Sequence, residues 1–308
     1  MSAMVFRGIE GSNPLGFLVS AGALRLLELM WRDREIRLRW IRDDGWRAEV
    51  SGLPVEDEAG LCNLLHEKAP WAPLDVFSEL GDDVTVERPL FERVVRQVVA
   101  GTTVEDRRAA DFLAAFGSDV CEDKDKNKNR IQYTDLCFIT GSGHQHFLGT
   151  ARTLAQSAGP DHLREALFGP WRNANKGLSM RWDPGDAKEY ALQWDNPSGE
   201  GVHSVWGASR LAFEALPLFP TVPTGKRLRT TGFRTQNRAH EFTWPLWTQP
   251  ASVDTVRSLL SLRELEQETP DRAQLLAMGI EEVFRAQRVR IPPQGANFKV
   301  SFRPARAV

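Results

Sequence analysis

The sequence predicts an α+β fold in which mixed short strands and hairpins pack with several helices. Apolar residues recur at helical spacing in some segments and alternate with polar residues in others. The two kinds of segment do not follow the regular strand–helix alternation of a doubly wound sheet, which favours the α+β class. With 308 residues, of which 42% are hydrophobic and 26% charged, the chain is long enough to bury a large core.

The first predicted elements are a short strand and an apolar helix. Residues 4–11 (MVFRGIEG) alternate enough to predict the strand. Asn13 is a favourable N-cap and Pro14 suits the first helical position, so a helix with one apolar face is expected to begin there. Gly16 and Gly22 lower the helix propensity, which indicates that something packs closely against this helix.

A hairpin and two helices are predicted next. Residues 35–41 and 46–50 alternate in polarity on either side of the turn residues Asp43-Asp44-Gly45, which predicts two paired strands. Residues 89–101 and 104–117 carry apolar side chains at helical spacing. The first of these two helices is expected to end at its glycine.

The chain divides into three predicted regions. Residues 1–120 form an α+β region with an acidic helical part, residues 121–130 (CEDKDKNKNR) form a polar loop, and residues 131–308 form a second α+β region. Residues 56–125 contain 17 Asp and Glu against 7 Lys and Arg, whereas residues 221–308 contain 14 Lys and Arg against 8 Asp and Glu. This segregation indicates either an anionic partner for the basic part or neutralisation between distant segments in the fold.

The second α+β region is expected to open with a buried extended segment at 131–140 and to end in a basic, strand-rich part. A turn at Gln236-Asn237 is expected to join two of its strands into a hairpin. The predicted helices span 146–157, 161–169, 205–219, 252–265 and 271–279, and the predicted strands span 189–194, 226–234, 240–247 and 283–291.

The basic segment TGKRLRTTGFRTQNR (224–238) is the main candidate for nucleic-acid binding. Strand alternation places several of its cations away from the core, and arginine matches phosphate oxygens and stacks on bases. The alternative is a solvated sheet edge, since positive charges also prevent edge-to-edge pairing. The predicted contact residues are Lys226, Arg227, Arg229, Arg234 and Arg238.

A second candidate is GSGHQHFL (141–148), for which three interpretations stay open. Ser142 can simply cap the following helix. The turn can instead present backbone donors to a phosphate, with Ser142, His144 and Gln145 contacting a nucleic-acid backbone. Finally, His144 and His146 point to one side of an extended segment and can share a metal, with further ligands drawn from Asp135, Asp183 and His162.

Other site classes have no support in the sequence. No nucleotide-binding glycine motif, nucleophile elbow, zinc-finger spacing or zincin motif occurs, so no cofactor is expected. The segment 181–199 contains several Asp and Glu residues beside Pro, Gly, Asn and Ser. We interpret these acidic residues as parts of turns. Cys62, Cys121 and Cys137 lack C-x-x-C spacing, which predicts free thiols in a reducing compartment. With neither a signal peptide nor a membrane span predicted, a cytoplasmic protein is expected.

Several blocks resemble a known family. The stretch GSNPLGFLVSAGALRLLELMW resembles the N-terminal signature of accessory and large-subunit proteins in CRISPR systems of subtype I-G (formerly I-U). Later blocks are similar to segments of the same proteins, although the chain is short for a typical large subunit. They are GSGHQHFL, LFGPW, SMRWDP, GASRLAFEALPLFP, TTGF and FTWPLW.

The resemblance implies a non-catalytic subunit of a type I CRISPR surveillance complex in antiviral defence. Such a subunit contacts guide RNA, target DNA and neighbouring subunits, while base pairing reads the sequence and a separate helicase–nuclease cleaves DNA. The acidic helices can then dock a basic neighbour. Two other hypotheses stay open: a metal-dependent nuclease or hydrolase centred on His144 and His146, and a structural partner protein that touches no nucleic acid.

Overall fold

The structure, a computed structural model, confirms the predicted α+β class. It describes residues 2–122, 129–139, 145–186, 203–236, 239–291 and 299–308. The predicted strand 189–194, and most of the predicted loop 121–130, lie outside these residues. No helix in the described ranges combines the length and the apolar character that a membrane span requires.

Helices occupy both halves of the chain, and most of them begin near the residues that the sequence predicted. Ser252 and Asp57 cap their helices by accepting from backbone N–H groups, as Asn13 does. The α-helices of the described ranges are α1 Pro14–Met30, α2 Glu58–Lys68, α3 Arg88–Ala100, α4 Arg108–Phe116, α5 Phe147–Ser157, α6 Pro160–Phe168, α7 Trp206–Phe213, α8 Val253–Leu260 and α9 Arg272–Ala277.

The strands form several small antiparallel sheets rather than one large sheet. They are β1 Ser2–Phe6, β2 Arg37–Arg42, β3 Trp46–Leu53, β4 Gly117–Glu122, β5 Ile131–Tyr133, β6 Asn175–Lys176, β7 His203–Ser204, β8 Thr221–Thr224, β9 Arg227–Thr230, β10 Phe233–Gln236, β11 Ala239–Trp247, β12 Ile280–Ile291, β13 Lys299–Phe302 and β14 Arg306–Ala307. The first sheet has the order β1-β3-β2, and the largest has the order β10-β11-β12-β13, with β14 also pairing with β12. The pairs β4-β5, β6-β7 and β8-β9 stand as separate ladders.

Helix α1 is the centre of the core. Its expected single apolar face is a wrong prediction, because every residue from Pro14 to Leu27 is buried. Gly22 explains how a second helix approaches so closely, since a Cβ atom there would overlap the carbonyl oxygen of Leu211 in α7. The one buried charge of this stretch, Arg25, is paired with Glu214 at 3.2 Å.

One hydrophobic core joins residues from both predicted α+β regions. Two tryptophans of β11 connect the C-terminal part of this core to the N-terminal part through their indole N–H groups. Trp244 donates to the carbonyl oxygen of Gly11 at 2.9 Å, and Trp247 donates to that of Leu38 at 2.8 Å. The two rings therefore pack on Phe17 of α1, while their N–H groups bind the loop after β1 and the strand β2.

The basic segment folds differently from the prediction. The expected strand 226–234 is two strands, β9 and β10, separated at Gly232, whose positive φ of 78° favours glycine. Only β10 pairs with β11, whereas β9 pairs with β8, which the sequence did not predict as a strand. Two successive hairpins thus replace the single one expected. The predicted helix 205–219 is also shorter, because α7 ends at Phe213 ahead of Pro217.

Candidate functional site

A polar groove of about 1020 Å³ lies beside the basic segment. It forms where the hairpin β8–β9, the strand β5 with the loop after it, and the hairpin β10–β11 come together. Its lining residues are Gln132, Tyr133, Thr134, Asp135, Thr224, Lys226, Arg227, Leu228, Arg229, Phe233, Arg234, Thr235, Gln236, His240, Glu266 and Arg288. The groove therefore contains four of the five cations that the sequence predicted for nucleic-acid contact.

The fifth predicted cation, Arg238, lies outside the described residues. Lys226 is exposed on the turn of the hairpin β8–β9 and Arg227 is exposed at the start of β9, and within the described ranges neither makes an ion pair. Their side chains are thus open to an external anion. This placement agrees with the predicted orientation of the segment, although the hairpin that carries them was not predicted.

The side chain of Gln132 fixes this hairpin against β5. Its Nε2 donates to the carbonyl oxygen of Lys226 at 3.0 Å, and its Oε1 accepts from the backbone N–H of Leu228 at 2.8 Å. A further bond runs from the N–H of Asp135 to Thr230 Oγ1 at 2.8 Å. Because the Gln132 side chain both donates to and accepts from the backbone of the hairpin, as a neighbouring strand would, it holds the turn that carries Lys226 in one position. Sequence reasoning missed this role, which depends on a contact 94 residues away.

Arg229, two residues after Arg227 on β9, makes an exposed ion pair. Its Nη2 lies 2.6 Å from Glu266 Oε1, and the two side chains are 46% and 52% exposed. Exposed ion pairs contribute at most about 1 kcal/mol to stability, since water screens both charges. A phosphate can therefore replace Glu266 as the partner of Arg229 at small cost.

Arg234 occupies a different environment from its neighbours. Its side chain is 8% exposed, and its Nε and Nη2 donate to Glu241 Oε2 at 2.8 and 2.6 Å. Its Nη1 donates to the carbonyl oxygen of Glu266 at 3.1 Å. With its donors engaged inside the protein, Arg234 supports the floor of the groove and adds charge to it.

Two further residues of the groove were not predicted. Arg288 on β12 lines it, donates from Nη2 to the carbonyl oxygen of Cys137 at 3.3 Å and lies over the ring of Phe138. His240 lies 3.8 Å from Asp135 through Nδ1 and Oδ1. The alternation of side chains along the predicted strand 283–291 could have placed Arg288 on one face of a sheet. The sequence could not predict that this face borders the groove, because that depends on the fold.

The charge of the groove favours anions. Five cationic side chains line it in the described ranges, against the two carboxylates of Asp135 and Glu266. A concave surface with one prevailing sign of charge concentrates oppositely charged ligands. Lysine and arginine with threonine and glutamine between them form the side-chain set that contacts phosphates and sugars. The arrangement can hold a polyanion, and it supplies donors on more than one wall.

The segment GSGHQHFL is only partly described, because Ser142 and His144 lie outside the described residues. The interpretation of Ser142 as a helix cap is wrong, since α5 begins at Phe147 with His146 at its N-cap position. The carboxylate of Asp83 replaces a serine cap, accepting from Phe147 N at 3.0 Å and contacting His146 Nδ1 at 2.6 Å. This arrangement places a negative charge at the start of the helix, where the dipole favours it.

Gln145, predicted to contact a nucleic-acid backbone, is engaged within the protein. Its Nε2 donates to the carbonyl oxygen of Gly177 at 2.6 Å, and its Oε1 accepts from Arg181 at 3.0 Å.

The candidate metal ligands are dispersed in the described ranges, which contain no group of three His, Cys, Asp or Glu side chains suited to a metal. Asp183 accepts from Asn13 Nδ2 at 3.2 Å, and His162 stacks on Trp206.

The three cysteines are free and buried, as predicted. Burial raises the pKa of the Cys62 thiol to about 12 and raises that of Cys137 as well. A thiol with a raised pKa forms little of the thiolate that acts as nucleophile or metal ligand. The cysteines therefore contribute packing rather than reactivity.

Comparison of the chain with protein families, with curated proteins and with solved structures gave no match.

Proposed function

We propose that this protein is a non-catalytic, nucleic-acid-binding subunit of a type I CRISPR surveillance complex. The groove carries the proposal: a concave site of about 1020 Å³ that combines Lys226, Arg227, Arg229, Arg234 and Arg288. In this proposal the exposed cations contact the phosphate backbone of guide RNA or target DNA. Sequence reading is left to base pairing, so affinity depends on charge more than on sequence.

The setting in a CRISPR complex is proposed from the resemblance of the sequence blocks, together with the structural role of the longest block. That block includes α1, around which the core is built. Other blocks supply α7 and the central part of β11, both of which pack near α1. Because the resembling blocks form core elements, they support a framework shared with those CRISPR proteins. The nucleic-acid contact is proposed separately, from the groove.

Charge reversal tests the proposal. The variant Arg227→Glu/Arg229→Glu should bind labelled RNA and DNA more weakly whatever their sequence, and its log Kd should depend less steeply on log salt. Each lost phosphate contact lowers that slope by about 0.7 to 0.9. Fluorescence anisotropy over a series of NaCl concentrations measures both quantities.

The matched control is Arg96→Glu/Arg107→Glu, which reverses two exposed, ion-paired arginines that do not line the groove. This control should bind like the wild type. Equal affinity of both double variants and the wild type at every salt concentration would contradict the proposal. Purification of the tagged protein from its native host tests the setting, because guide RNA and other subunits should be retained with it.

A further inference from the structure

Three polar side chains lie side by side where the largest sheet borders the groove. Thr235 on β10 is directly opposite His240 on β11, and His240 is directly opposite Arg288 on β12. Directly opposed residues carry their side chains on the same face of a sheet, with Cβ atoms about 5 Å apart. All three residues line the groove. They therefore form a row in which the imidazole of His240 lies between a hydroxyl and a guanidinium group.

The contacts of His240 use one of its two ring nitrogens. Its Nδ1 lies 3.4 Å from Thr235 Oγ1 and 3.8 Å from Asp135 Oδ1. These two oxygens favour the neutral tautomer with its proton on Nδ1, because each can accept a hydrogen bond from that N–H. The side chain is 46% exposed. Among the contacts of the described residues, Nε2 is thus the nitrogen left for a ligand in the groove.

Protonation reverses what Nε2 offers to such a ligand. In the neutral tautomer with the proton on Nδ1, Nε2 is an acceptor, and it faces a phosphate oxygen unfavourably because that oxygen is an acceptor too. In the protonated ring Nε2 is a donor, and the ring adds a positive charge beside Arg288. Histidine is the side-chain type whose charge ordinarily changes between about pH 5 and 8, so this reversal is accessible near neutral pH.

The charges around His240 act on its protonation in opposite directions. Asp135, in the loop after β5, favours the protonated ring, whereas Arg288 on β12 disfavours it. The other charged residues of the groove are Lys226, Arg227, Arg229, Arg234 and Glu266. A bound phosphate adds negative charge to this set and favours the protonated ring. Binding of the phosphate and uptake of the proton must therefore strengthen each other, since coupling between two ligands is reciprocal.

We infer that His240 takes up a proton when a phosphate group binds in the groove, so that acid strengthens the binding of nucleic acid. This inference rests on the proposed function and adds the regulation of that site. The phosphate contacts Nε2 of His240 beside the guanidinium group of Arg288. Thr235 and Asp135 lie on the Nδ1 side of the ring, where they set its tautomer.

Binding measured against pH tests the inference. Anisotropy with a labelled RNA and with a DNA of the same sequence is recorded from about pH 8 down to about pH 5.5 at constant ionic strength. Affinity for at least one of them should rise as the pH falls, by at most about tenfold per pH unit for a single proton. Calorimetry in two buffers that differ in ionisation enthalpy should show proton uptake on binding.

Two substitutions of His240 separate its charge from its shape. His240→Gln, which stays neutral, should bind at every pH as the wild type does at pH 8. His240→Lys, which stays charged, should bind at every pH as tightly as the wild type does at pH 5.5. The control is His66→Gln on α2, an exposed histidine that does not line the groove, and it should keep the pH dependence of the wild type.

Two buried carboxyl groups also titrate in this range. Burial raises the pKa of Asp186 and that of Glu214 to about 7, but neither residue lines the groove. Their titration is the same in the wild type and in the His240 variants, so a difference between these proteins belongs to His240. Circular dichroism at each pH establishes that every variant is folded.

The outcomes distinguish this inference from the proposed function. Wild-type affinity that does not change with pH, or a pH dependence that both His240 variants retain, would overturn the role of His240. The proposed function would still stand if Arg227→Glu/Arg229→Glu weakened binding. Binding that is indifferent to Arg227→Glu/Arg229→Glu as well would overturn both.

Discussion

Arg234 and Glu241 lie directly opposite each other on the neighbouring strands β10 and β11, and the arginine donates two hydrogen bonds to one carboxylate oxygen. Both side chains are nearly buried, at 8% and 11% exposure. Arg306 contacts the second oxygen of the same carboxylate at 3.4 Å. The pair divides the basic segment into an arginine that stabilises the fold and cations, such as Arg227, that remain exposed in the groove.

Removal of Arg234 should therefore cost stability. Arg234→Ala leaves the buried carboxylate of Glu241 without its main partner, and breaking such a pair costs about 3 to 5 kcal/mol. Arg227→Ala, at an exposed position, should change the free energy of unfolding by less than about 0.5 kcal/mol. Urea denaturation of both variants measures the difference. Equal destabilisation by the two substitutions would contradict the division of roles.

Glu266 should act as an internal competitor for phosphate. Glu266→Gln removes the carboxylate that lies 2.6 Å from Arg229, so the affinity for nucleic acid should rise several-fold. The slope of log Kd against log salt should become steeper by up to about 0.9, the value for one added phosphate contact. The control is Glu264→Gln, because Glu264 lies in the same short 3₁₀ helix, Arg263–Glu266, but does not line the groove. A weaker complex of the Glu266 variant would count against this role.

Gln132 should contribute to binding through position rather than charge. Gln132→Ala removes two hydrogen bonds to the hairpin β8–β9, each contributing about 1 kcal/mol when formed. A looser hairpin must be ordered on binding, so affinity should fall several-fold while the salt slope stays constant. The exposed Gln97→Ala on α3 is the control, and anisotropy titrations compare the two. A changed slope in the Gln132 variant would mean that phosphate contacts themselves were lost.

The close approach of α1 and α7 should depend on Gly22. Gly22→Ala places a methyl group against the carbonyl oxygen of Leu211 in backbone that cannot easily move. Overpacking of this kind costs about 1 to 3 kcal/mol or more. Gly101→Ala, at the end of α3 where the nearest atom to an added Cβ is 3.8 Å away, should be nearly neutral. Thermal unfolding of the two variants provides the measurement.

Asp186 should make stability depend on pH. Burial of its carboxyl group raises the pKa of Asp186 from 3.8 to about 7, and Ser179 Oγ donates to its Oδ2. A raised pKa means that the folded state binds the proton more tightly, so this contribution is complete below about pH 4. It is lost as the pH rises through 7.

Asp186→Asn should reduce this decline by an amount on the order of 4 kcal/mol between pH 4 and 8, because the amide does not titrate. Urea denaturation across this range measures the effect. The control is Asp254→Asn, in which the replaced side chain is 89% exposed. An unchanged pH profile for the Asp186 variant would show that another group is responsible.

Local features of the fold could be predicted from the sequence because short-range chemistry decides them. Asn13 and Ser252 cap helices as expected, and the turn at Asp43-Asp44-Gly45 joins β2 to β3. The cap of α5 was predicted incorrectly, because Asp83, 64 residues away along the chain, supplies the carboxylate. Where the partner of a backbone group is distant in sequence, local propensity does not identify it.

The sequence by itself determined the fold class, most helix positions and a cationic segment with the composition of a phosphate-binding surface. Only the tertiary structure decided which of those cations face the groove. The register of β10 against β11 places Arg234 opposite Glu241, while the separate pairing of β9 with β8 leaves Arg227 exposed. The physical reason is that strand pairing and burial depend on contacts between distant residues, whereas charge and helix capping are properties of neighbouring ones.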